Sequence, residues 1–516
     1  MVAPVNPRRG VEGGEVAPGF GRGGGRGSWL TAAAVARVAG GEVVRRGAPA
    51  HGVTTDSRGK CLGRLFVALR GANHDGHRFL ADAAARGATG LLIDRGMDDA
   101  ALAAALAPLG RVFAPFVVRV PDTGRALLDL AAEHRRRHRA KVVGITGSCG
   151  KTTTKEWLGA VLGRAMPTVR SPASFNNQIG VPLTLFAIEP ETRAAVVEIG
   201  TNAPGEIGML SAVARPDLGI VTCVAPAHLE GLGSLEGVAL EKSALPAALP
   251  DEGLCLLNGD DAACRAMAER TRATVQFVGI DREADWFATD VQFHGLGTSF
   301  RLQGERPVTL PVLGTHAVYN ALLVIAAASQ LGVAEQDVLQ ALAAVPAAAR
   351  RLEAKVRGGV TVYDDTYNMN PESARAALHA LAGTATAGRR IAVFGAMLEL
   401  GAASEALHER LGAEVARTRQ DQLLCVGAGA EPIARGAVRA GMSAVAVHVF
   451  AGVGEALAHL RSAVRPGDVV LAKASRRIGL DRLVDQLLAA LGVEAPAGSS
   501  AAEAPAASGG GGGADG

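Results

Sequence analysis

The stretch ITGSCGKTTTKE, residues 145–156, decides the fold of the central part of the chain. An apolar run, KVVGIT, leads into it, and a helical pattern, KTTTKEWLGAVLGR, follows it. The common phosphate-loop spacing G-x-x-x-x-G-K-[ST] would require a glycine at position 145, where this chain has Ile145. A glycine-rich turn between a strand and a helix still directs backbone N–H groups inward, at the positive end of the helix dipole. The stretch therefore predicts a phosphate-binding loop of a shorter kind.

Each residue of this loop has an expected role in nucleotide binding. The backbone should cradle phosphates, Lys151 should reach the β- and γ-phosphates, and the Thr152 hydroxyl should take a place on Mg²⁺. The cradle comprises Gly147, Ser148, Cys149, Gly150, Lys151, Thr152 and Thr153. A strand–helix turn that binds nothing would explain the glycines, but not a lysine and three threonines at the start of a helix.

Composition limits the class of protein. The chain has 516 residues, with 48% hydrophobic and 20% charged residues and a net charge of +3, which predicts a soluble protein of two to four domains. This charge argues neither for nor against an anionic partner, and we expect no nucleic-acid partner. The six cysteines form no C-x-x-C pairs, which is typical of reduced thiols in a cytoplasm. Neither a membrane-spanning run nor a signal peptide is predicted.

Strand and helix patterns divide the chain into three α/β domains between two tails. Continuous apolar runs that alternate with helical patterns predict parallel sheets covered on both faces, in a central P-loop-type domain and a Rossmann-like C-terminal domain. The N-terminal domain has a mixed pattern of short strands and helices. We predict a disordered Gly/Arg-rich tail at 1–28, domains at 29–138, 139–346 and 347–492, and a disordered Ala/Gly-rich tail at 493–516.

The C-terminal domain contains one partial dinucleotide motif. The segment VGAGAEP places Gly427 and Gly429 correctly, but Pro432 occupies the position of the third glycine. We interpret this segment as a strand–helix turn, and NAD is not predicted.

Three polar side chains in the central domain follow predicted strands. Glu198 ends the strand in VVEIG, His228 follows the next strand, and Lys242 lies on the helical stretch beyond it. Considered without the other two, His228 would be interpreted as a polar residue with its hydrogen bonds made, and Lys242 as a solvated helix residue. Because parallel strands place their carboxyl ends on one edge, we expect the three side chains to share a ligand site.

Eight motifs together resemble the Mur ligases across nearly the whole chain between the tails. They are GITGSCGKTTTKE, SFNNQIGVPLTLF, VVEIGTNAPGEIG, AHLEGLGSLEGVALEKS, LNGDD, LGTHAVYNAL, DDTYNMNPES and MLELG. Within the family, the first and seventh motifs are most similar to those of the branch that joins D-alanyl-D-alanine to UDP-N-acetylmuramoyl-tripeptide (UDP-MurNAc-tripeptide).

The resemblance implies an ATP-dependent amide ligase with ATP and Mg²⁺ as cofactors. It implies a cytoplasmic monomer that phosphorylates the tripeptide carboxylate to an acyl phosphate, which the dipeptide amine attacks. The product, UDP-MurNAc-pentapeptide, serves peptidoglycan synthesis. The N-terminal domain should bind the UDP-sugar.

The resemblance also implies roles for individual residues. Catalytic roles are expected for Lys151, His228 and Lys242, and metal binding for Thr152, Glu198, His228 and, if it is carbamylated, Lys242. Asn258, Asn320 and Arg351 should contact the nucleotide. The expected substrate-binding residues are Asp56, Ser57, Arg58, Asn176, Asn177, Asp365, Tyr367, Asn368, Asn370, Lys473, Ser475 and Arg476. Without the resemblance, Asp56–Arg58 would be interpreted as an ordinary turn.

Four positions depart from the family pattern. Ala317, Ala396 and Ala474 replace an expected Asn, Asp and Gly, and Met369 replaces an Ala. The first two remove polar partners, so local hydrogen bonds must be lost or rerouted. Two alternatives stay open: a Mur-type ligase for another amino acid, and a nucleotide-binding cell-wall scaffold without activity. A generic P-loop ATPase would leave the remaining motifs unexplained.

Overall fold

The fold consists of three α/β units, each built on its own sheet. The computed structural model describes residues 28–71, 74–107, 114–280, 283–294, 297–345 and 348–492. The three-domain α/β organisation predicted from the sequence is confirmed. Most residues of both predicted disordered tails lie outside the described ranges.

The N-terminal unit is a five-stranded sheet in the order β1-β5-β4-β3-β2. Only the β1–β5 pairing is antiparallel. Its elements are α1 Ala32–Ala39, β1 Glu42–Arg45, β2 Val53–Thr54, β3 Leu65–Val67, α2 Leu80–Ala85, β4 Gly90–Asp94, α3 Asp99–Leu106, β5 Phe116–Val120 and α4 Thr123–Arg136.

Helix α4 joins the first unit to the second. Asp122 caps it by accepting a hydrogen bond from the Arg125 N–H at 2.7 Å, which satisfies a free donor of the first turn. Leu127 and Leu130 pack into the N-terminal core, whereas Leu128 packs into the core of the central unit. One helix therefore contributes to two hydrophobic cores.

The central unit is a nine-stranded sheet in the order β14-β13-β12-β11-β10-β9-β6-β8-β7. Strands β6 to β12 all run parallel to one another, and β13 and β14 extend the sheet as antiparallel strands. Its elements are β6 Lys141–Thr146, α5 Lys151–Ala165, β7 Thr168–Arg170, α6 Gly180–Leu185, β8 Ala194–Glu198, α7 Glu206–Ala214, β9 Leu218–Val221, α8 Leu229–Leu232, α9 Leu235–Lys242, α10 Ala244–Ala247, β10 Leu254–Asn258, α11 Ala262–Ala266, β11 Thr274–Ile280, β12 Trp286–His294, β13 Gly297–Leu302, β14 Arg306–Leu310, α12 Thr315–Gln330 and α13 Glu335–Leu342.

The strand order of the central sheet places the phosphate loop at a topological switch point. Strand β6 has β9 on one side and β8 on the other, so the chain leaves β6 in the crevice where parallel sheets bind ligands. Trp157 and Leu158 of α5 pack into the core beside Val324 of α12. This burial fixes the axis of α5, and with it the direction of its N-terminus.

The C-terminal unit is a six-stranded sheet in the order β15-β16-β20-β17-β18-β19. Only the β15–β16 pairing is antiparallel. Its elements are β15 Glu353–Arg357, β16 Val360–Asp365, α14 Pro371–Gly383, β17 Arg390–Gly395, α15 Ser404–Arg417, β18 Gln422–Val426, α16 Glu431–Arg439, β19 Val447–Phe450, α17 Val453–Ala463, β20 Val469–Lys473 and α18 Leu480–Leu491.

The sequence patterns missed several strands at or near the sheet edges. Strands β7, β12, β13, β14 and β15 were not predicted, because they are short or half-exposed and have no continuous apolar run. The apolar run AVAVHVF, residues 444–450, predicts one strand, but this prediction is wrong for its first three residues: Ala444–Ala446 forms a 3-10 turn, and the strand begins at Val447. No helix within the described ranges combines the length and the apolar character needed to cross a membrane.

Arg135 at the end of α4 should be important for stability at the junction of the first two units. Its buried guanidinium donates to the Ala214 carbonyl and to Asp217 Oδ2, both at 3.0 Å. Replacing Arg135 with Met leaves these acceptors without their donor, at a cost of about 2 kcal/mol. We expect a clearly lower midpoint of thermal unfolding. The matched variant Arg136→Met removes only an exposed pair with Glu133 and should change little. Equal midpoints for the two variants would contradict the role of Arg135.

Candidate active site

The turn between β6 and α5 has the geometry of a phosphate cradle. Gly147 and Gly150 have φ of +144° and +84°, which residues with side chains rarely adopt. A Cβ on Gly147 would lie 1.9 Å from Thr222 Oγ1, and one on Gly150 would lie 2.6 Å from Asn320 Oδ1. Both positions therefore need glycine for conformation and for space.

Hydrogen bonds hold this loop against the end of β9. The Ser148 N–H donates to the Cys223 carbonyl at 2.9 Å, and Ser148 Oγ donates to the Ala225 carbonyl at 2.9 Å. Lys151 Nζ donates to the Gly147 carbonyl at 2.6 Å, which folds the lysine back over the loop. Burial lowers the pKa of Lys151, and the nearby Glu198 carboxylate opposes that shift.

Side-chain oxygen atoms of Thr152 and Glu198 lie beside the loop at the end of β8. The Thr152 hydroxyl donates to Glu198 Oε2 at 2.9 Å, and Asn176 Nδ2 donates to Glu198 Oε1 at 2.9 Å. The buried Lys155 lies 3.8 Å from Glu198 Oε2 and 2.8 Å from Glu156 Oε1. Lys155 thus partly balances the charge of a carboxylate that is 1% exposed.

His228 lies at the boundary between the central and C-terminal units. Its Nδ1 is 2.7 Å from Glu399 Oε2, and the Glu230 N–H donates to the Glu399 carbonyl at 3.1 Å. The hydrogen bond from His228 lowers the pKa of Glu399. His228 and Glu399 both have positive φ, +53° and +65°, a conformation that costs free energy and clusters at functional sites.

Lys242 is buried at the end of α9, so its interpretation as a solvated helix residue is wrong. It is 2% exposed, and burial together with the charge of Lys151 lowers its pKa to about 7. A lysine amine in this environment is neutral in a large fraction of molecules near neutral pH.

The C-terminal unit supplies the opposite wall of the site. Lys473 Nζ donates to Asp365 Oδ2 at 2.7 Å and to the Asn368 carbonyl at 3.0 Å. This buried pair fixes the segment after β16. Burial raises the pKa of Asp365, and the charge of Lys473 opposes the shift.

Contacts from that wall reach the phosphate loop directly. Arg351 Nη2 donates to Thr152 Oγ1 at 2.9 Å, and its guanidinium lies 4.2 Å from the centre of the Tyr367 ring. Asn370 Nδ2 donates to the Ser148 carbonyl at 3.3 Å. The two units therefore meet at the loop.

A cavity of about 810 Å³ lies between the two units. Most of the predicted site residues line it: Ser148, Cys149, Gly150, Lys151, Thr152, Thr153, Asn176, Asn177, Glu198, His228, Asn258, Asn320, Arg351, Asp365, Tyr367, Asn368, Asn370, Lys473, Ser475 and Arg476. Residues separated by more than 300 positions in the chain thus face one space.

Five predicted residues do not line this cavity. Gly147 is the first residue of the loop and Lys242 is buried at the end of α9, whereas Asp56, Ser57 and Arg58 belong to the N-terminal unit. Arg58 Nη2 is 2.9 Å from Asp56 Oδ2, so this segment forms a turn closed by its own ion pair. A role for the turn in binding a UDP-sugar stays a prediction.

Sequence reasoning assigned no role to four residues that the structure places in or beside the site: Lys155, Cys223, His316 and Glu399. Burial and the charge of Lys473 lower the pKa of His316 to about 4. His316 Nδ1 and Asn320 Nδ2 are buried and have no hydrogen-bond partner among the described residues. His316 precedes Ala317, where an asparagine had been expected. The motifs LGTHAVYNAL and MLELG contained the signal, but spacing alone gives no role for their polar residues.

Few acidic and imidazole side chains lie around the phosphate loop. Within the part of the chain that the structure describes, no three His, Cys, Asp or Glu side chains cluster closely enough to hold a metal ion. Thr152 and Glu198 nevertheless offer adjacent oxygen atoms beside the phosphate loop. Mg²⁺ commonly binds through one or two carboxylates together with substrate phosphates.

The fold and site together define a class of protein. A glycine-rich loop on a central parallel sheet faces a Rossmann-like unit across a cavity lined by lysine, arginine, amide and carboxylate groups. Such an arrangement suits nucleotide-dependent chemistry on a second substrate.

Comparison with known families makes this assignment specific. The Mur ligase middle domain matches residues 145–328, the Mur ligase glutamate ligase domain matches residues 350–476, and the Mur ligase family catalytic domain matches residues 49–135. The chain belongs to the Mur ligase family.

Several named relatives match most of the chain. The UDP-N-acetylmuramoyl-tripeptide–D-alanyl-D-alanine ligase of Mycobacterium tuberculosis H37Rv is 38% identical over 499 residues, which cover 89% of this chain and 98% of the relative. The ligase of that name from Bacillus subtilis is 33% identical, covering 85% and 93%. A crystal structure of MurF from Acinetobacter baumannii has a TM-score of 0.80 at 30% identity, covering 89% and 99%. MurF from Thermotoga maritima in complex with ADP has a TM-score of 0.74 at 26% identity, covering 85% and 97%.

Proposed function

We propose that this protein is an ATP-dependent ligase that joins D-alanyl-D-alanine to UDP-MurNAc-tripeptide. The product would be UDP-MurNAc-pentapeptide, a precursor for peptidoglycan and thus for cell-wall growth and division. One observation carries the proposal: the phosphate loop and the DDTYNMNP segment, from different sheets, face the same cavity. Relatives with this named activity match the chain over both regions.

The reaction needs the tripeptide carboxylate to become an electrophile. A carboxylate resists attack by an amine at neutral pH, and transfer of the γ-phosphoryl group of ATP provides a leaving group. The acyl phosphate is then attacked by the dipeptide amine, and the tetrahedral adduct collapses to an amide and phosphate. The protein must neutralise the transferring oxygens and align two substrates.

Residues of the central unit fit the phosphoryl-transfer half of this reaction. The loop Gly147–Thr152 would hold the ATP phosphates through backbone N–H groups, and Lys151 would neutralise the γ-phosphate. Arg351 already contacts Thr152 from the other unit, so it would approach the same phosphates. The unpartnered Asn320 Nδ2 and the amide of Asn258 would serve the nucleoside side of the site.

We further propose that Thr152 and Glu198 hold one Mg²⁺ and that His228 helps to hold a second. Bound Mg²⁺ would supply positive charge to the phosphate oxygens during transfer. Glu399 would orient His228, because the carboxylate accepts a hydrogen bond from Nδ1 and leaves Nε2 as the metal-binding nitrogen.

Lys242 would complete this site as a carbamate. The amine, with a pKa of about 7, can attack CO₂ in its neutral form. The carbamate is an anion, so it would replace repulsion from Lys151 with attraction and add oxygen ligands to a site that has few.

Residues of the C-terminal wall would bind the peptide substrates. Asp365, Tyr367, Asn368 and Asn370 project from the segment held by Lys473, and Ser475 and Arg476 follow β20. Asn176 and Asn177 would face the boundary between ATP and substrate, and Asp56, Ser57 and Arg58 would bind the UDP-sugar. We place the reaction in the cytoplasm and expect a monomer.

The proposed function predicts phosphate release that requires ATP, UDP-MurNAc-tripeptide and D-alanyl-D-alanine together. Chelation of divalent cations should abolish this release. Lys151→Met should lower kcat about a hundredfold or more, because it removes the positive charge that would neutralise the transferring phosphoryl group. The matched variant Lys141→Met removes an exposed lysine that pairs with Asp217 and should retain activity. Coupled measurement of phosphate and pentapeptide product tests each expectation.

Two other outcomes would replace this function. Binding of ATP without phosphate release would favour a cell-wall scaffold. Release that depends on another amino acid, and not on the dipeptide, would favour a different Mur-type ligase. Tripeptides ending in meso-diaminopimelate and in lysine should both be assayed, because a ligase selective for one of them would release no phosphate with the other.

Carbamylation of Lys242 can be measured without turnover. In ¹³C-bicarbonate at about pH 8, the wild-type protein should show a carbamate carbon resonance that Lys242→Arg lacks, because a guanidinium is not a nucleophile at this pH. The control Lys355→Arg changes a lysine that is ion-paired with Asp364 at 2.7 Å and should keep the signal. A wild-type spectrum identical to that of Lys242→Arg would contradict the carbamate.

A further inference from the structure

Two cysteines from different parts of the chain meet at the phosphate loop. Cys149 is the third residue of the loop, Cys223 follows β9, and their Sγ atoms are 2.9 Å apart. Both side chains are partly exposed and line the cavity, whereas Cys61, Cys255, Cys264 and Cys425 are buried. This is therefore a pair of thiols that solvent can reach through the active-site cavity.

We propose that Cys149 and Cys223 form an oxidisable dithiol site that two-electron oxidants such as hydroperoxides close to a disulfide, which weakens nucleotide binding. A disulfide has an S–S length of about 2.05 Å, so the sulfur atoms need to approach by only about 0.9 Å. Formation of the crosslink does not depend on the proposed ligase activity. Its effect on the nucleotide rests on the assignment of the phosphate loop.

The two thiols share a hydrogen bond in which either sulfur can donate. This contact lowers the pKa of Cys223 and, together with burial, raises the pKa of Cys149. The charge of Lys151 also favours a Cys223 thiolate. Either thiol can attack the oxidant first, and the other then resolves the intermediate.

The chemistry balances with the hydroperoxide as the oxidant. When Cys223 attacks first, its thiolate forms an S–O bond with the peroxide oxygen and breaks the O–O bond, and the departing alkoxide takes a proton to become an alcohol. Cys149 sulfur then attacks the Cys223 sulfenic sulfur, forming the S–S bond and breaking the S–O bond. The oxygen leaves with the Cys149 proton as water. Two thiols and one hydroperoxide thus give one disulfide, one alcohol and one water.

The crosslink would act on the cradle itself. The loop already contacts the end of β9 through the Ser148 N–H to Cys223 carbonyl bond and the Thr222 Oγ1 to Cys149 carbonyl bond. A covalent bond from Cys149 would pull the loop further toward that strand end and fix its side-chain torsions. The N–H of Cys149, which would point at the phosphates, would then be displaced from its position.

Mass spectrometry tests the site directly. After treatment with hydrogen peroxide, a non-reducing tryptic digest should contain peptide Val142–Lys151 linked to peptide Ala194–Lys242, each of which has one cysteine. Dithiothreitol should separate the two peptides. Affinity for a fluorescent ATP analogue should fall at least tenfold on oxidation and return on reduction. Saturating ATP before oxidation should slow the crosslink, because both thiols line the cavity.

Variants separate this pair from the other cysteines. The variants Cys223→Ala and Cys223→Ser should form no crosslink. For each of them, the affinity for nucleotide should be the same before and after oxidation. The control variant Cys264→Ala removes a buried cysteine whose pKa is influenced by Cys223, and it should still form the crosslink. Absence of the linked peptide in the wild-type protein would overturn the site. A linked peptide with unchanged nucleotide affinity would overturn its effect on the loop.

Discussion

The packing of the phosphate loop against the end of β9 is the constraint on which the rest of the site depends. Gly147 and Gly150 allow the chain to turn within van der Waals contact of Thr222 and Asn320, where a Cβ at either position would overlap a side-chain oxygen. That close approach aligns the start of α5 with the carboxyl ends of β8, β9 and β10. Glu198, Cys223 and Asn258 then lie around one cradle because β8 and β9 flank β6 and β10 pairs with β9. The loop is short because the neighbouring strand end supplies part of its wall.

The second constraint is that the site is divided between two units. Arg351 and Asn370 bond directly to loop atoms, and Glu399 bonds to His228. Activation of a carboxylate needs ATP, metal and both peptide substrates within a few ångströms, with water excluded from the acyl phosphate. A cavity between separately folded units meets this requirement, because each unit can hold its own substrate before the reacting groups meet. Family membership and the geometry of the cavity therefore point to the same chemistry.

The parts of this structure that follow from local sequence patterns could be predicted from the sequence. The three α/β units, the strand–loop–helix around Lys151 and the polar residues at strand ends follow from apolar runs and glycine spacing. Most substrate residues, such as Tyr367 and Lys473, were placed only by resemblance to a family, because their roles depend on contacts between distant segments. Strands such as β13 were missed because they have no continuous apolar run and their burial comes from neighbours in the sheet. The His228–Glu399 and Cys149–Cys223 contacts join segments with no shared local pattern, so only three-dimensional packing reveals them.

The most direct test of the account is the affinity of Gly150→Ala for ATP, compared with that of Gly163→Ala. The added methyl group at position 150, where φ is +84°, would be forced against Asn320, whereas a Cβ on Gly163 of helix α5 meets no atom within 4 Å. Isothermal titration calorimetry should show at least tenfold weaker binding for Gly150→Ala and unchanged binding for Gly163→Ala, with both proteins folded by circular dichroism. Wild-type affinity in a folded Gly150→Ala protein would contradict the central role of the loop.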